Sequence, residues 1–374
     1  MLIYQIIGIL LMVEKVMNKV AAHSVYAVDL FCGAGGLTCG LEKSGISVNL
    51  GIDIDPACEY PYSENNNADF LLKSIDKVSS LELDEAFGGN EYRLLAGCAP
   101  CQTFSKYNQK ADASDKRWWL LQEFERLIKE CQPELVTMEN VPGLMTQQVF
   151  FDFVDTLKKL NYHIDYQIVN CADYGLPQQR NRLVLLASRL GAIKLLKFSE
   201  LNVRRRTVHH AINKLPPLRA GEVDPNDPLH SSAALNEINL ERIKASKPGG
   251  TWHDWPEELV AACHKKKSGK GYRSVYGRMR WDAPAPTITT QYYGFGNGRF
   301  GHPEQDRAIS LREGAIFQGF PKKYKFIDPE NPVGTTVIGR MIGNAVPVKL
   351  GEIIGKSVLL HISEYKRNKK ASPN

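Results

Sequence analysis

A proline–cysteine pair, Pro100-Cys101 in the run GCAPCQTFS, follows a short apolar stretch, and an acid, Glu139, stands 38 residues later in MENVPG. A cysteine placed where a strand gives way to a loop presents its sulfur at the edge of an α/β sheet, and an acid on the next strand end can donate a proton across the same pocket. A nucleophile and an acid so placed suit attack on an electron-poor ring. Cys98 and Cys101 also form a CxxC, which reads as a redox pair or half a metal site, but no second CxxC and no nearby His completes four ligands, so no metal is expected. Eight cysteines scattered over 374 residues without a regular framework fit a reducing compartment and not a disulfide scaffold.

The elements that must position these groups are legible as alternating patterns. SVYAVDLF (24–31), VNLGIDI (48–54), RLLAGCA (93–99), ELVTMEN (134–140), HIDYQIVN (163–170) and RLVLLAS (182–188) read as short buried strands. Helical spacings lie between them. In KRWWLLQEFERLIKEC, Leu120, Phe124, Leu127, Ile128 and Cys131 recur at three and four and predict one apolar stripe. This alternation predicts an α/β fold, an open parallel sheet with helices on both faces. From about 200 to 300 the rhythm fails, and Pro, Gly, His and charged residues predict a smaller, loop-rich second domain. Helix-like spacing returns over 335–362 and is expected to pack back on the first domain.

The first strand ends in DLFCGAGGLTCGL, where Gly33, Gly35 and Gly36 allow a tight turn and the close approach of a ligand to backbone amides at a helix start. About 20 residues on, in GIDIDP, Asp53 stands at the end of the second strand, a position from which an acid binds both ribose hydroxyls. Together they predict an adenosine-containing cofactor. The glycines leave a dinucleotide and S-adenosylmethionine both open, although GAGG without a third spaced glycine leans away from NAD.

With 43% hydrophobic and 24% charged residues, the chain can bury a full core and is more naturally two domains than one. Its net charge of +6 is uneven: residues 196–300 hold 17 Lys and Arg against 10 Asp and Glu, and the rest of the chain 30 against 31. Such a local basic field, with Arg204 to Arg206 and Lys265 to Lys267 inside it, suits a polyanion, and equally a solvated face. The apolar segment 2–13 is about half the length needed to span a bilayer and lacks the marks of a signal peptide, so no membrane association is expected. Residues 1–20 read as an N-terminal extension, with Met17 open as an alternative start.

Taken in order, the motifs resemble those of the bacterial cytosine-5 DNA methyltransferases. DLFCGAGG, GIDIDP, GCAPCQTFS, MENVPG, LPQQRNR, RAISLREGAIFQGFP (307–321) and IGNAVPVKLG (342–351) follow the family's sequence of motifs over roughly residues 25–362. The resemblance implies a Rossmann-like S-adenosylmethionine-dependent catalytic domain at 21–199. It also implies a target-recognition domain at 200–330 and a C-terminal segment, 331–374, packing on the catalytic domain. Phe31, Gly33, Gly35 and Gly36 would cradle S-adenosyl-L-methionine, with Asp53 and Ile54 at its ribose and adenine. Ile75, Pro100, Leu120, Asn344 and Val346 line up with further cofactor positions. Three positions depart from the usual pattern: Ser74 for an Asp near the adenine, Ala99 for the first Pro of PPCQ, and Val348 for the second Pro of NAVPP.

The implied activity is transfer of a methyl group to carbon 5 of cytosine. Cys101 would add to carbon 6, Glu139 would donate to ring nitrogen 3, and Arg182 would hydrogen-bond the carbonyl oxygen at position 2, with Arg180 supporting the site. In double-stranded DNA the base must first be flipped out. The polar segment 103–116 reads as a closing loop in which Ser105, Lys106 and Lys110 are phosphate candidates. In the basic region Lys265, Lys266, Lys267 and Arg273 are expected to touch DNA, and Tyr272, Arg278, Arg280, Gln291, Tyr292 and Tyr293 are candidate readers or supports. A paired restriction endonuclease without a stable complex, a monomeric state and a cytoplasmic location complete the expectation.

Three other classes compete with this reading. An enzyme directed at transfer RNA would share Cys101 and Glu139 but carry a CFT signature that is absent here. A non-catalytic DNA-binding relative would have lost one of the reacting residues. An NAD-dependent oxidoreductase would not explain PCQ, ENV and Q-x-R-x-R together.

Overall fold

The computed structural model describes residues 25–100, 118–201, 203–267, 269 and 271–371. The chain divides into two compact units: the first comprises residues 25–169, 181–201 and 348–371, the second residues 170–180 and 203–347.

In the first unit, seven strands form one sheet: β1 (Val25–Leu30), β2 (Ser47–Asp53), β3 (Asp69–Leu72), β4 (Tyr92–Gly97), β5 (Leu135–Asn140), β6 (His163–Asn170) and β7 (Asn181–Ser188), in the order β3-β2-β1-β4-β5-β7-β6. The central strands are buried almost throughout, which is why they read as continuous apolar runs. β3 escaped the pattern because it has four residues at the sheet edge, none fully buried. β1 pairs in parallel with β2 and β4, β2 with β3, and β4 with β5. The expected all-parallel sheet is corrected at one strand, since β7 runs antiparallel to β5, with Glu139 opposite Val184 and Asn140 opposite Leu183.

The helices of this unit are α1 (Gly36–Ser44), α2 (Glu59–Ser63), α3 (Ser80–Phe87), α4 (Trp119–Cys131) and α5 (Gln148–Lys159). On α4 the buried stripe is Leu121, Phe124, Leu127, Ile128 and Cys131, so Leu121 takes the place expected of Leu120, which is only half-buried. The C-terminal helix, Val348–Ala371, lies directly on α1: a Cβ added at Gly40 would stand 2.4 Å from the Val348 carbonyl oxygen and 2.7 Å from the Glu352 nitrogen. The missing side chain lets two backbones touch and anchors the helix that carries the glycine loop.

The second unit holds α6 (Val208–Ile212), a two-stranded sheet of β8 (Val223–Asp224) and β9 (Asp227–Ser231), α7 (Glu237–Ala245), α8 (Ala262–Lys265), α9 (Leu311–Phe317) and α10 (Thr335–Asn344). Residues 331–347, grouped from the sequence with the first unit, belong to the second; a Cβ at Gly339 of α10 would stand 2.4 Å from Tyr293 Cε1. Buried polar groups hold this unit together where regular structure is sparse. The Gln178 amide donates to the Phe317 carbonyl (3.0 Å) and to Gln318 Oε1 (2.9 Å), and Gln318 donates to the Ile342 carbonyl (2.7 Å). Arg307 and Glu313, both fully buried, pair through two contacts of 2.8 Å, and Ser310 and Glu313 close a capping box on α9. A separate apolar cluster gathers Ile243, Trp252, Trp255, Phe295 and Ala308, with the Arg242 guanidinium over the Trp255 ring at 5.5 Å.

Candidate active site

Parallel pairing brings the ends of β1, β2, β4 and β5 to one edge of the sheet, where ligands of open α/β folds bind. Just past β1, Phe31, Gly33 and Gly35 have φ of 59°, 53° and 86°. Glycine adopts the left-handed region freely, whereas Phe31 does so at a cost of about 1–3 kcal/mol, strain of a kind that collects at ligand clamps. The Gly33 N–H donates to Asp53 Oδ2 at 2.8 Å and the Asp55 N–H to Oδ1 at 2.9 Å, so the carboxylate at the end of β2 shapes the loop opposite it. Burial, first of all, raises the Asp53 pKa above its ordinary value. Ile54, beside it, is 68% exposed. No side chain caps the first turn of α1, which leaves a helix N-terminus of the kind that receives an anionic group.

Behind the loop lies Asp29, an acid in an otherwise apolar strand. Its Oδ2 accepts from Thr38 Oγ1 at 2.8 Å, Thr38 contacts the Tyr62 hydroxyl at 3.0 Å, and its Oδ1 is buried with no hydrogen-bond partner among the described residues. Burial pushes its pKa up to about 7, with the Asp53 charge adding to the rise. The sequence reading left Asp29 unassigned, and the signal was the lone acid in VYAVDL.

At the end of β5, Glu139 is buried and its two oxygens face different partners. Arg182 Nε stands 2.8 Å from Oε1 as an ion pair, and the Cys98 thiol donates to Oε2 at 3.0 Å. The register explains both contacts. Gly97 pairs with Met138, which sets Cys98 abreast of Glu139, and the reversal of β7 brings Arg182 diagonally across from Glu139 on one face of the sheet. Asn140, also unassigned from the sequence, donates from Nδ2 to the Ala99 carbonyl at 3.0 Å and accepts the Val141 N–H at 2.8 Å, tying the end of β5 to the segment leading to Cys101.

Cys101, Ser105, Lys106 and Lys110 lie outside the described residues. Pro100 is exposed, Ile75 is buried in the core, and Leu120 packs half-buried against that core. Ser74 Oγ donates to Asp76, so an acid does stand close to the position where the usual Asp is replaced. Arg180, buried in the second unit, donates to the carbonyls of Ile288 (2.8 Å) and Gly343 (3.0 Å) and acts as a backbone clamp there. Asn344, exposed, and Val346, buried, also belong to the second unit.

Lys265, Lys266, Lys267, Tyr272, Arg273, Arg280 and Gln291 are exposed. Two candidate readers are corrected. Tyr292 is fully buried, its hydroxyl donating to the Leu311 carbonyl at 2.9 Å, and Arg278 is buried on the carbonyls of Ser246, His302 and Gln305 at 3.0 Å. Both are scaffold. No group of side chains among the described residues could hold a metal ion.

The family model for C-5 cytosine-specific DNA methylase matches residues 25–359. The chain is 52% identical over 334 residues to the Type II methylase M.HgiDII of Herpetosiphon aurantiacus, covering 88% of this chain and 94% of that one. It is 31% identical over 357 residues to the Type II methyltransferase M1.BsuMI of Bacillus subtilis, covering 90% and 81%. Among solved structures, the S. pombe Dnmt2 methyltransferase shares the fold with a TM-score of 0.64 at 16% identity, over 91% of this chain and 99% of that one.

Proposed function

This chain belongs to the C-5 cytosine-specific DNA methylase family, and from that membership we propose how its own residues divide the work. It is a DNA cytosine-5 methyltransferase with S-adenosylmethionine as its cofactor. Phe31, Gly33, Gly35 and Gly36 cradle that molecule, and Asp53 holds its ribose with Ile54 against the adenine. The strained loop, the uncapped helix start and the half-buried carboxylate at the end of β2 support this fit.

Cys101 adds its thiolate to carbon 6 of a flipped cytosine. The ring electrons move toward nitrogen 3, where Glu139 supplies a hydrogen bond or proton, and Arg182 donates to the carbonyl oxygen at position 2. Carbon 5 thereby becomes a nucleophile. S-Adenosylmethionine, when bound, supplies the electrophilic methyl group that carbon 5 needs. Nitrogen 3 then returns its proton to Glu139, a water takes the carbon 5 proton, and the electrons of that C–H bond re-form the carbon 5–carbon 6 double bond as the thiolate leaves. The observation that carries the assignment is the buried Glu139 with Arg182 Nε 2.8 Å away, at the same sheet edge where β4 leads into Cys101.

The second unit recognises the target sequence, with its exposed Lys265 to Lys267 and Arg273 contributing phosphate contacts. The relatives' names as Type II methylases support a place in restriction–modification; a functionally paired endonuclease, a monomeric state and a cytoplasmic location belong to the same proposal. The decisive experiment compares methyl transfer to duplex DNA and to transfer RNA by wild type, Cys101→Ser and Glu139→Gln. DNA should be the substrate, both variants should lose transfer, and 5-fluorocytosine in DNA should trap wild type through Cys101. An adduct on any other cysteine, or transfer to RNA alone, overturns the reading.

A further inference from the structure

Glu139 has a neighbour that the proposed chemistry does not use. Cys98 sits one residue past β4, abreast of Glu139, and its thiol donates to Oε2 at 3.0 Å while Arg182 faces Oε1. Glu139 is 3% exposed, so an oxygen with no donor would be left in a site that offers little water. A thiol is a weak donor. It can occupy a carboxylate oxygen without competing strongly against a ring nitrogen.

We propose that Cys98 is a positioning residue for Glu139: its thiol donates to Oε2 in the empty enzyme and releases that oxygen when it takes up a solvent proton to donate to ring nitrogen 3 of the incoming cytosine. The inference rests on the role of Glu139 given above. Burial, followed by the Glu139 charge, pushes the Cys98 pKa well above the usual thiol value, so the group keeps its proton and remains a donor throughout. The charged and titratable groups in play come from three strands: Arg182 at the start of β7, Cys98 past β4, and Asp29 on β1, whose charge acts on Cys98. Arg182 and Asp29 are common to every variant compared.

A donor to the charged form of a carboxylate favours that form. Removing it should therefore move upward the alkaline limb of the pH profile, where a proton donor to ring nitrogen 3 is lost. The test is kcat/KM against pH for methyl transfer to duplex DNA by wild type, Cys98→Ala and Cys98→Ser. Cys98→Ala should shift that alkaline limb up by about half a pH unit or more, and Cys98→Ser, which restores a donor, should return it to the wild-type position. Should Cys98→Ala lose its fold, Cys98→Val fills the volume without a donor and takes its place. Limbs that superimpose in all variants overturn the proposal, as does a shift that serine leaves uncorrected, which would mark a packing effect. Glu139→Gln separates the two readings. If it retains methyl transfer, the role of Glu139 itself fails; if it abolishes transfer while the Cys98 variants track wild type, only the role of Cys98 fails.

Discussion

The two units treat a buried carboxylate in opposite ways. In the second, Glu313 is met by both guanidinium nitrogens of Arg307 at 2.8 Å and by the Ser310 N–H at 2.7 Å, and these contacts overcome burial and hold its pKa down at about 2. In the first, Asp29 is equally buried but has one oxygen with no partner among the described residues and a second acid, Asp53, as its neighbour, and burial wins, pushing its pKa up to about 7. A charge whose partners are complete stabilises a scaffold. A charge left incomplete beside a strained glycine loop is tolerated where a ligand is to bind.

Breaking the completed pair should have the largest effect. Glu313→Gln strands the Arg307 guanidinium in the interior and should cost about 3–5 kcal/mol of stability in urea unfolding followed by tryptophan fluorescence. A loss below about 1 kcal/mol would mean that the pair is not the scaffold of its unit. In the wild type its contribution is present above about pH 4.5 and lost as pH falls toward 2. His302, lowered to about 4 chiefly by burial, adds stability that is lost as pH falls from 6.5 through 4.

The incomplete acid should respond with the reverse sign. Because Asp29 is raised from 3.8 to about 7, its favourable share is present below pH 4 and lost as pH rises through 7. Asp29→Asn should therefore flatten the decline in stability between pH 5 and 8 by roughly 2 kcal/mol. An undiminished decline in the variant would remove Asp29 as its source.

The smallest effect on stability belongs to the exposed basic run, where no burial is at stake. Replacing Lys265, Lys266 and Lys267 by Ala should leave the unfolding midpoint in place and weaken binding to target and random duplexes alike. The slope of log affinity against log salt should flatten by up to about 0.9 per lost phosphate contact. An unchanged slope would mean that this run does not touch the backbone.

The sequence made the buried strands and one edge, β6, legible and was silent on the other edge, β3. β1, β4 and β5 are covered on both faces and so are written as apolar runs, whereas β3 meets solvent and carries no such run. Arginines and tyrosines were the other source of error. Arg278 clamping carbonyls and an arginine reading bases use the same donors, and only burial separates them. Leu120 and Leu121 are adjacent and chemically identical, so a shift of one residue around the helix decided which entered the core.

The order of motifs determined the family and put forward the glycine loop, Glu139 and Arg182 as site candidates, because each is carried by residue type and local spacing. What only the tertiary structure decided is which of them meet. Arg182 opens β7 and Glu139 closes β5; had β7 run parallel, the two would lie at opposite edges of the sheet, and its reversal places them 2.8 Å apart. The same holds for Cys98, brought level with Glu139 by the pairing of Gly97 with Met138, and for Arg180, which two residues from Arg182 belongs to the other unit. Local pattern records what a side chain is buried with in kind. Strand direction and register, set by the packing of the whole sheet, decide which side chain that is.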